Sequence, residues 1–256
     1  MIRLAFETPI ECMTDIQPLA DFDWILAHEV LQNKEYAEFY KNSTRMKVLD
    51  NSVNELLTPC SFRDIEKSAE IVNPDWIVSP DWLGDGKKTF DYFSEFKTNL
   101  GIGFTGGLLP VLQGSTLTEC FSYAEKYQKL EVEQLAIPYD ITCKRTDSLE
   151  KMAISRLSIV TTLLRKKSFK WIHLLGLTSL FELESYSNWP KVSLTLDTGS
   201  PIANGLAGRK YGKAELLGKS VPTYEVMEES MKAVGIEMAD WSLVFYNIAY
   251  LRKLTA

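Results

Sequence analysis

Short apolar runs alternate with longer amphipathic stretches along the chain. The runs are four to six residues long, which is typical of buried strands rather than helices. Apolar residues between the runs recur at helical spacing, and this alternation indicates βα units around a parallel sheet. The runs fall at residues 2–6, 46–50, 76–79, 108–113, 134–138, 171–175 and 192–196.

The amphipathic stretches predict the helices. A helix over 21–41 follows from the near-helical spacing of Trp24, His28 and Leu31. Ser61 is the expected N-cap of the next helix, because a serine side chain can accept a backbone N–H in the first turn. The other helices are expected over 61–72, 87–100, 116–130, 148–167, 178–188, 223–234 and 238–254.

The spacing of the runs predicts the fold class. Successive strand ends lie 31, 32, 25, 38 and 21 residues apart, close to one eighth of the 256-residue chain. A (β/α)8 TIM barrel takes about 250 residues, whereas an open doubly wound sheet usually has about five or six strands. We therefore expect residues 1–256 to form one barrel domain, with a short or irregular eighth strand within 203–222.

Composition excludes several classes of protein. With 45% hydrophobic and 24% charged residues, the chain is typical of a globular domain. No apolar run approaches the roughly 18 residues of a membrane span, and residues 1–13 lack a signal-peptide pattern. The four cysteines (Cys12, Cys60, Cys120 and Cys143) show no CxxC spacing, so we expect reduced thiols in a cytoplasm, no metal site and no cofactor.

The net charge of −6 is unevenly distributed along the chain. Residues 1–100 carry 10 basic and 18 acidic side chains, whereas residues 140–170 carry 8 basic and 3 acidic ones. A second basic stretch within 203–220 contains Arg209 and Lys210. The overall charge argues against non-specific nucleic-acid binding, but each basic stretch fits either a solvated face or a phosphate-binding one.

Polar side chains follow several predicted strands, at the rim where barrel enzymes carry their active sites. The residues in these positions are Asp50, Asp81, Gln113 and Asp197. A single such aspartate often only caps a helix or forms a turn, which is how Asp85 and Asp140 are interpreted. Three aspartates at matching places favour a shared site. His173, inside a strand, is predicted to be a buried core histidine rather than a base.

Converging carboxylates without a metal indicate glycosidic chemistry. One carboxylate can attack an anomeric carbon while a second transfers protons, with net retention through a covalent intermediate. The patterns of other chemistries are missing. No GxSxG motif occurs, and the glycine-rich segment 101–107 precedes a strand, which is the wrong context for a dinucleotide site.

Six strand-end segments carry a family resemblance. They read VLDNS (48–52), VSPDWLGDG (78–86), LPVLQG (109–114), LAIP (135–138), IHLLGL (172–177) and SLTLDTGSP (193–201). Their order and content resemble the tRNA-guanine transglycosylases, and more closely the small relatives that exchange guanine in phage DNA for a 7-deazaguanine. The resemblance implies a (β/α)8 barrel and a base-exchange reaction.

The resemblance also implies a role for each strand end. Asp197 resembles the nucleophile that attacks the ribosyl C1′ of the target guanosine, and Asp50 resembles the acid/base residue beside the base pocket. Asp81 resembles the residue that reads the polar edge of the base. Further base contacts are implied for Gln113, Gly114, Leu135, Ala136, Ile137, Leu175 and Gly176. Backbone phosphates are expected to contact Lys144, Arg145, Arg165, Lys166, Lys167, Arg209 and Lys210.

Departures from the tRNA enzymes favour DNA as the substrate. Those enzymes carry a CxCxxC…H zinc site after the nucleophile, whereas no cysteine follows Cys143 here. Val53 and Asn54 stand where the tRNA enzymes have paired glycines. The implied reaction replaces guanine in DNA with a free 7-deazaguanine of the preQ0 or preQ1 type, in a host cytoplasm if the protein is phage-encoded. The target base must leave the duplex first, and Trp82, Tyr139 or Phe104 could stack on it.

Three other functions stay open from the sequence. They are a tRNA-guanine transglycosylase that has lost its zinc site, a non-catalytic barrel subunit, and a barrel glycosidase or N-deoxyribosyl hydrolase of another family. The identity of the replacement base and the formation of a homodimer are left open as well.

Overall fold

The computed structural model describes residues 1–100, 104–144, 147–177, 179–186, 193–212 and 241–256. Within these residues, eight strands form two four-stranded sheets, one in the order β1-β8-β7-β6 and the other in the order β2-β3-β4-β5. All neighbouring strands are parallel, so the α/β class is confirmed. The strands are β1 Ile2–Ala5, β2 Asp23–Leu26, β3 Lys47–Asp50, β4 Trp76–Val78, β5 Gly107–Leu109, β6 Gln134–Pro138, β7 Trp171–Leu175 and β8 Ser193–Asp197.

Helices follow the strands along the chain. Ser61, Thr116 and Ser148 each accept a backbone N–H as N-cap residues, close to the expected helix starts. The helix expected over 223–234 lies outside the described residues. No helix among the described residues is long and apolar enough to cross a membrane. The helices are α1 Met13–Ile16, α2 Ala27–Gln32, α3 Lys34–Lys41, α4 Val53–Leu56, α5 Phe62–Val72, α6 Gly86–Asn99, α7 Leu117–Lys129, α8 Leu149–Lys166, α9 Phe181–Tyr186, α10 Ser200–Leu206 and α11 Trp241–Thr255.

The single helix predicted over 21–41 is wrong. The segment holds strand β2 and then two short helices, α2 and α3. All four β2 residues are buried, and they pair in parallel with β3, with Leu26 opposite Asp50. Asp23 begins the strand and accepts hydrogen bonds from Gln17 and Ser43. Pairing with β3 therefore overrides the helical spacing of the apolar side chains.

The expected place of the eighth strand is also corrected. Residues 203–212 contain the end of helix α10 and no strand, and the rest of the 203–222 window lies outside the described residues. The additional strand is β2, near the start of the chain, so the strand predicted seventh, over 192–196, is β8. Beyond β5, Pro110 has no N–H to donate, and Val111 continues only as an isolated parallel bridge to Ala136.

Hydrogen bonds link the two sheets at both edges. Near β6, the Leu112 N–H donates to the Ala136 carbonyl at 2.8 Å. Near β1, the Asp21 N–H donates to the Leu4 carbonyl, and the Asp21 carboxylate accepts the Leu4 N–H at 2.8 Å. The segment after β5 is thus bonded to β6, and the segment before β2 is bonded to β1.

Side chains from the two sheets share one core. The indole ring of Trp24 in β2 stacks on the His173 ring in β7, with centroids 4.5 Å apart. At the amino-terminal ends of their strands, Trp76 in β4 packs edge to face against Trp171 in β7, with ring centroids 4.9 Å apart. The parallel strands of both sheets therefore face each other, and the residues past their carboxyl ends can meet.

Candidate active site

A pocket with a cavity volume of about 60 Å3 opens past the carboxyl ends of the strands. Carboxylates dominate its polar lining, and no lysine or arginine is among the described residues that line it. The six acidic residues are Glu7, Asp50, Glu55, Asp81, Asp140 and Asp197.

Asp197 ends strand β8 and is 2% exposed. Its Oδ1 lies 2.8 Å from His173 Nε2. The Gly176 N–H donates to Oδ1 and Oδ2 at 3.2 and 3.3 Å. These donors hold the carboxylate in one orientation.

A buried chain of hydrogen bonds fixes the His173 tautomer. The Trp171 indole N–H can only donate, and it donates to Thr195 Oγ1 at 2.6 Å. The Thr195 hydroxyl in turn donates a hydrogen bond to His173 Nδ1, 2.7 Å away. The histidine proton is therefore assigned to Nε2, where it faces Asp197. His173 is fully buried, as predicted, but its partner is a carboxylate of the pocket.

Gly176 requires its glycine because the backbone turns there with φ +65°. A Cβ atom at this position would come within 2.9 Å of the Tyr139 ring. Arg156 stabilises the turn, because its Nη1 donates to the carbonyls of Leu175 and Gly176 at 2.8 Å each. Arg156 also forms a buried ion pair with Glu182.

Asp50 ends strand β3 and is 8% exposed. One of its carboxylate oxygens accepts the Ser52 N–H at 2.8 Å, and Ser52 itself has φ +61°. Burial and the nearby Glu55 carboxylate raise the pKa of Asp50 well above its usual range. A carboxyl group tuned in this way can hold or accept a proton near neutral pH.

Asp81 lies at the centre of an ordered amide network. One of its oxygens accepts from Gln113 Nε2 at 2.6 Å, and the other accepts from Asn51 Nδ2 at 2.8 Å. Both amides are fixed, since Gln113 Oε1 accepts the Gly84 N–H and Asn51 Oδ1 accepts the Val53 N–H. Burial raises the pKa of Asp81 to about 6.

Sequence reasoning missed Glu7 and Glu55. Glu7 follows strand β1 and hydrogen-bonds the Asp197 carboxyl group, while Glu55 lies in helix α4. Burial raises the pKa of both groups, and for Glu7 the charge of Asp197 adds to the effect. The rule applied to the later strands would have found Glu7, because it stands two residues past β1. Glu55 does not follow a strand directly, so the same rule would not have found it.

Several predicted base contacts lie beside the pocket rather than on its surface. Leu135, Ala136 and Ile137 are fully buried within β6, and the lining begins with the next three residues, 138–140. Gly114 packs against helix α7, where a Cβ atom would come within 2.7 Å of Cys120 Sγ. Leu175 and Gly176 do line the pocket. Asp140, interpreted as a turn residue, lines it as well.

The predicted phosphate contacts occupy different ends of the strands. Lys144 is exposed in the loop after β6, on the same side as the pocket. The end of α8 carries three exposed cations, Arg165, Lys166 and Lys167. They come just before β7 begins, so they lie at the amino-terminal ends of the strands, opposite the pocket. Arg145 lies outside the described residues.

Arg209 and Lys210 are exposed just after helix α10. Tyr211 brings this segment back toward the end of β8, because its hydroxyl lies 2.6 Å from Ser200 Oγ. Asn247 in α11 secures the segment by donating to the Arg209 carbonyl at 2.9 Å and accepting the Tyr211 N–H at 2.7 Å. The segment is therefore held against α10 and α11, and neither cation is among the residues that line the pocket.

Of the aromatic residues considered for stacking, only one lines the pocket. Tyr139 does so, next to Gly176. Trp82 lies beside the lining residue Leu83, and the Lys88 ammonium group sits 3.0 Å from its ring centroid. Phe104 packs against Gly106, at the amino-terminal end of β5 and away from the site.

Among the described residues, no group of three or more histidine, cysteine, aspartate or glutamate side chains is arranged to hold a metal ion. No protein-family model and no curated protein matches the chain. The site is an acidic pocket that combines one carboxylate held by fixed donors, several buried carboxyl groups with raised pKa values, and one rigid amide network.

Proposed function

We propose that the protein is a base-exchange transglycosylase built on a (β/α)8 barrel, which replaces guanine in DNA with a 7-deazaguanine. The observation that carries the proposal is the meeting of Asp50, Asp81 and Asp197 in one pocket, each in a different chemical environment. Asp197 has fixed donors, Asp50 has a raised pKa, and Asp81 belongs to an amide network.

The hydrogen bonds between the sheets support a closed barrel. The Val111–Ala136 bridge joins the segment after β5 to β6, and the Asp21–Leu4 contacts join the segment before β2 to β1. These contacts support the proposal that the eight parallel strands close with no free edge, which is the arrangement of a TIM barrel. Active sites of that fold lie at the carboxyl ends of the strands, where this pocket opens.

Asp197 has the features of a nucleophile. Its carboxylate is oriented by His173 and Gly176 and can attack C1′ as guanine leaves, which gives a covalent deoxyribosyl-aspartate. The 7-deazaguanine then attacks from the vacated side and loses a proton to Asp50. Two displacements at one carbon restore the original configuration.

The Asp81 network has the features of a base reader. Guanine and 7-deazaguanine both carry adjacent N–H donors on their polar edge, and an ionised carboxylate held by Gln113 and Asn51 can accept from them. Asp81 cannot turn away, because both amides are themselves held by backbone N–H groups.

The experiment is base exchange followed by mass analysis of nucleosides. The protein is incubated with a DNA duplex or a tRNA and with free preQ0 or preQ1, and the nucleosides are then analysed. We expect a 7-deazaguanine deoxynucleoside from DNA, none with Asp197→Asn, and normal yield with Asp91→Asn, an exposed helix carboxylate used as the matched control. Incorporation into tRNA alone would move the substrate to RNA. Guanine release without any incoming base would indicate a hydrolase.

A further inference from the structure

We propose that Glu7 is a second catalytic acid, which donates its proton to the departing guanine while Asp197 attacks. The inference rests on the proposed base exchange. It adds a group that the strand-end resemblance does not include, since the resembling segments begin at residue 48.

The first step of the argument is that Glu7 and Asp197 share one proton. Glu7 stands two residues past Ala5, the register partner of Asp197 in the adjacent strand, and both side chains line the pocket, where a side-chain hydrogen bond joins them. Two carboxylates in contact cannot both be ionised, so one of them holds the proton that joins them.

The second step is that the proton belongs to Glu7. Asp197 already accepts the His173 Nε2–H at Oδ1 and the Gly176 N–H at both oxygens, so its oxygens are occupied as acceptors. Glu7 faces the carboxylates of Asp197, Glu55 and Asp50, and each of them disfavours a charge on Glu7. Among the described residues that line the pocket there is no lysine or arginine to offset them.

The third step concerns the balance of the reaction. The Asp197 oxygen forms a bond to C1′, the C1′–N9 bond breaks, and its electron pair moves onto the purine. The Glu7 proton is then transferred to the purine, which leaves as neutral guanine. Esterification removes the charge of Asp197, so Glu7 can become ionised at that moment.

The cycle closes within the same cluster of carboxyl groups. The incoming base brings an N9–H, and that proton passes to Asp50 as the new bond to C1′ forms and the Asp197 ester breaks. One proton leaves with guanine and one arrives with its replacement, so redistribution from Asp50 to Glu7 restores the starting state. No external acid or oxidant is needed.

A leaving base that needs no proton provides the test. An N7-methylated guanine in DNA carries a positive charge and leaves as a neutral base without protonation. The proposed site accepts bases substituted at position 7, so this substrate tests chemistry rather than fit. Single-turnover release of guanine and of 7-methylguanine from matched oligonucleotides is compared for wild type, Glu7→Gln and Asp197→Asn.

We expect Glu7→Gln to slow guanine release by about 10²–10⁴-fold while 7-methylguanine release stays near the wild-type rate. The glutamine amide can still donate to Asp197, so the carboxylate keeps its partner. Glu11→Gln, at an exposed position close by, is the matched control and should be normal on both substrates. Equal slowing of both substrates, or of neither, would overturn the acid role.

A second measurement separates this inference from the proposed function. Carbon NMR of glutamate-labelled protein, with Glu7→Gln for assignment, reports the protonation of Glu7 directly. We expect a protonated carboxyl at neutral pH in wild type and a lower pKa in Asp197→Asn, because the neighbouring charge is gone. An ionised Glu7 in wild type refutes the inference even if base exchange occurs. If Asp197→Asn retains exchange, the proposed function fails instead.

Discussion

Replacement of Arg156 by methionine should weaken the fold and the site together. Arg156 in α8 and Glu182 in α9 are both fully buried. The guanidinium group donates through Nε to Glu182 Oε2 at 2.9 Å and through Nη2 to Glu182 Oε1. Its Nη1 holds the carbonyls of Leu175 and Gly176. Methionine fills a similar volume but supplies none of these donors.

The expected loss follows from what the methionine leaves behind. Removal of one partner from a buried ion pair costs about 3–5 kcal/mol, because the other charge stays in a medium of low dielectric. For a chain of this size, that corresponds to a fall in Tm of roughly 6–20 °C. The two carbonyls also lose their donor, so the Gly176 turn loosens and its N–H moves away from Asp197.

A double variant tests the reasoning. Arg156→Met combined with Glu182→Leu removes both charges, and replacement of a buried pair by apolar residues is often neutral. We expect the double variant to be more stable than Arg156→Met alone, but still below wild type because the two carbonyls stay without a donor. Urea unfolding followed by tryptophan fluorescence gives the free energies. A loss below about 1 kcal/mol in Arg156→Met, or no recovery in the double variant, would refute the argument.

Three further predictions concern the proposed reaction. Asp197→Asn should abolish exchange and leave DNA affinity nearly unchanged, whereas Asp50→Asn should slow the proton-transfer step. If the Asp197→Asn variant exchanges bases at the wild-type rate in the nucleoside assay, Asp197 is not the nucleophile. Affinity for the free 7-deazaguanine should weaken as the pH falls through about 6, because protonated Asp81 loses an acceptor. Calorimetric titration across this range should show the dependence flattened in Asp81→Asn, and an equally steep curve would assign it to another group. Arg209→Ala with Lys210→Ala should weaken DNA binding and reduce its salt slope by up to about two units, and an unchanged slope would place the phosphates elsewhere.

The local sequence determined two kinds of element. These are the strands formed by one continuous apolar run, and the helices whose N-cap residue bonds a backbone N–H a few positions along the chain. Strands β6 and β7 have the expected bounds, because five neighbouring residues in each carry the signal themselves. Ser61 and Ser148 cap their helices through contacts three residues away. The strand-end positions of Asp50, Asp81 and Asp197 were equally readable, since a parallel arrangement places every carboxyl end on one side.

Tertiary structure decided the rest. Residues 23–26 fit a helical spacing as well as a strand, and only pairing with β3 selects the strand. Glu7 and Asp197 are 190 positions apart, yet Ala5 and Asp197 are register partners in adjacent strands, which brings the two carboxyl groups together. The basic stretch within 140–170 did not indicate at which end of the strands Arg165 would lie. Local signals act over a few residues, whereas these outcomes depend on which distant strands are neighbours, a choice made by the packing of the whole core.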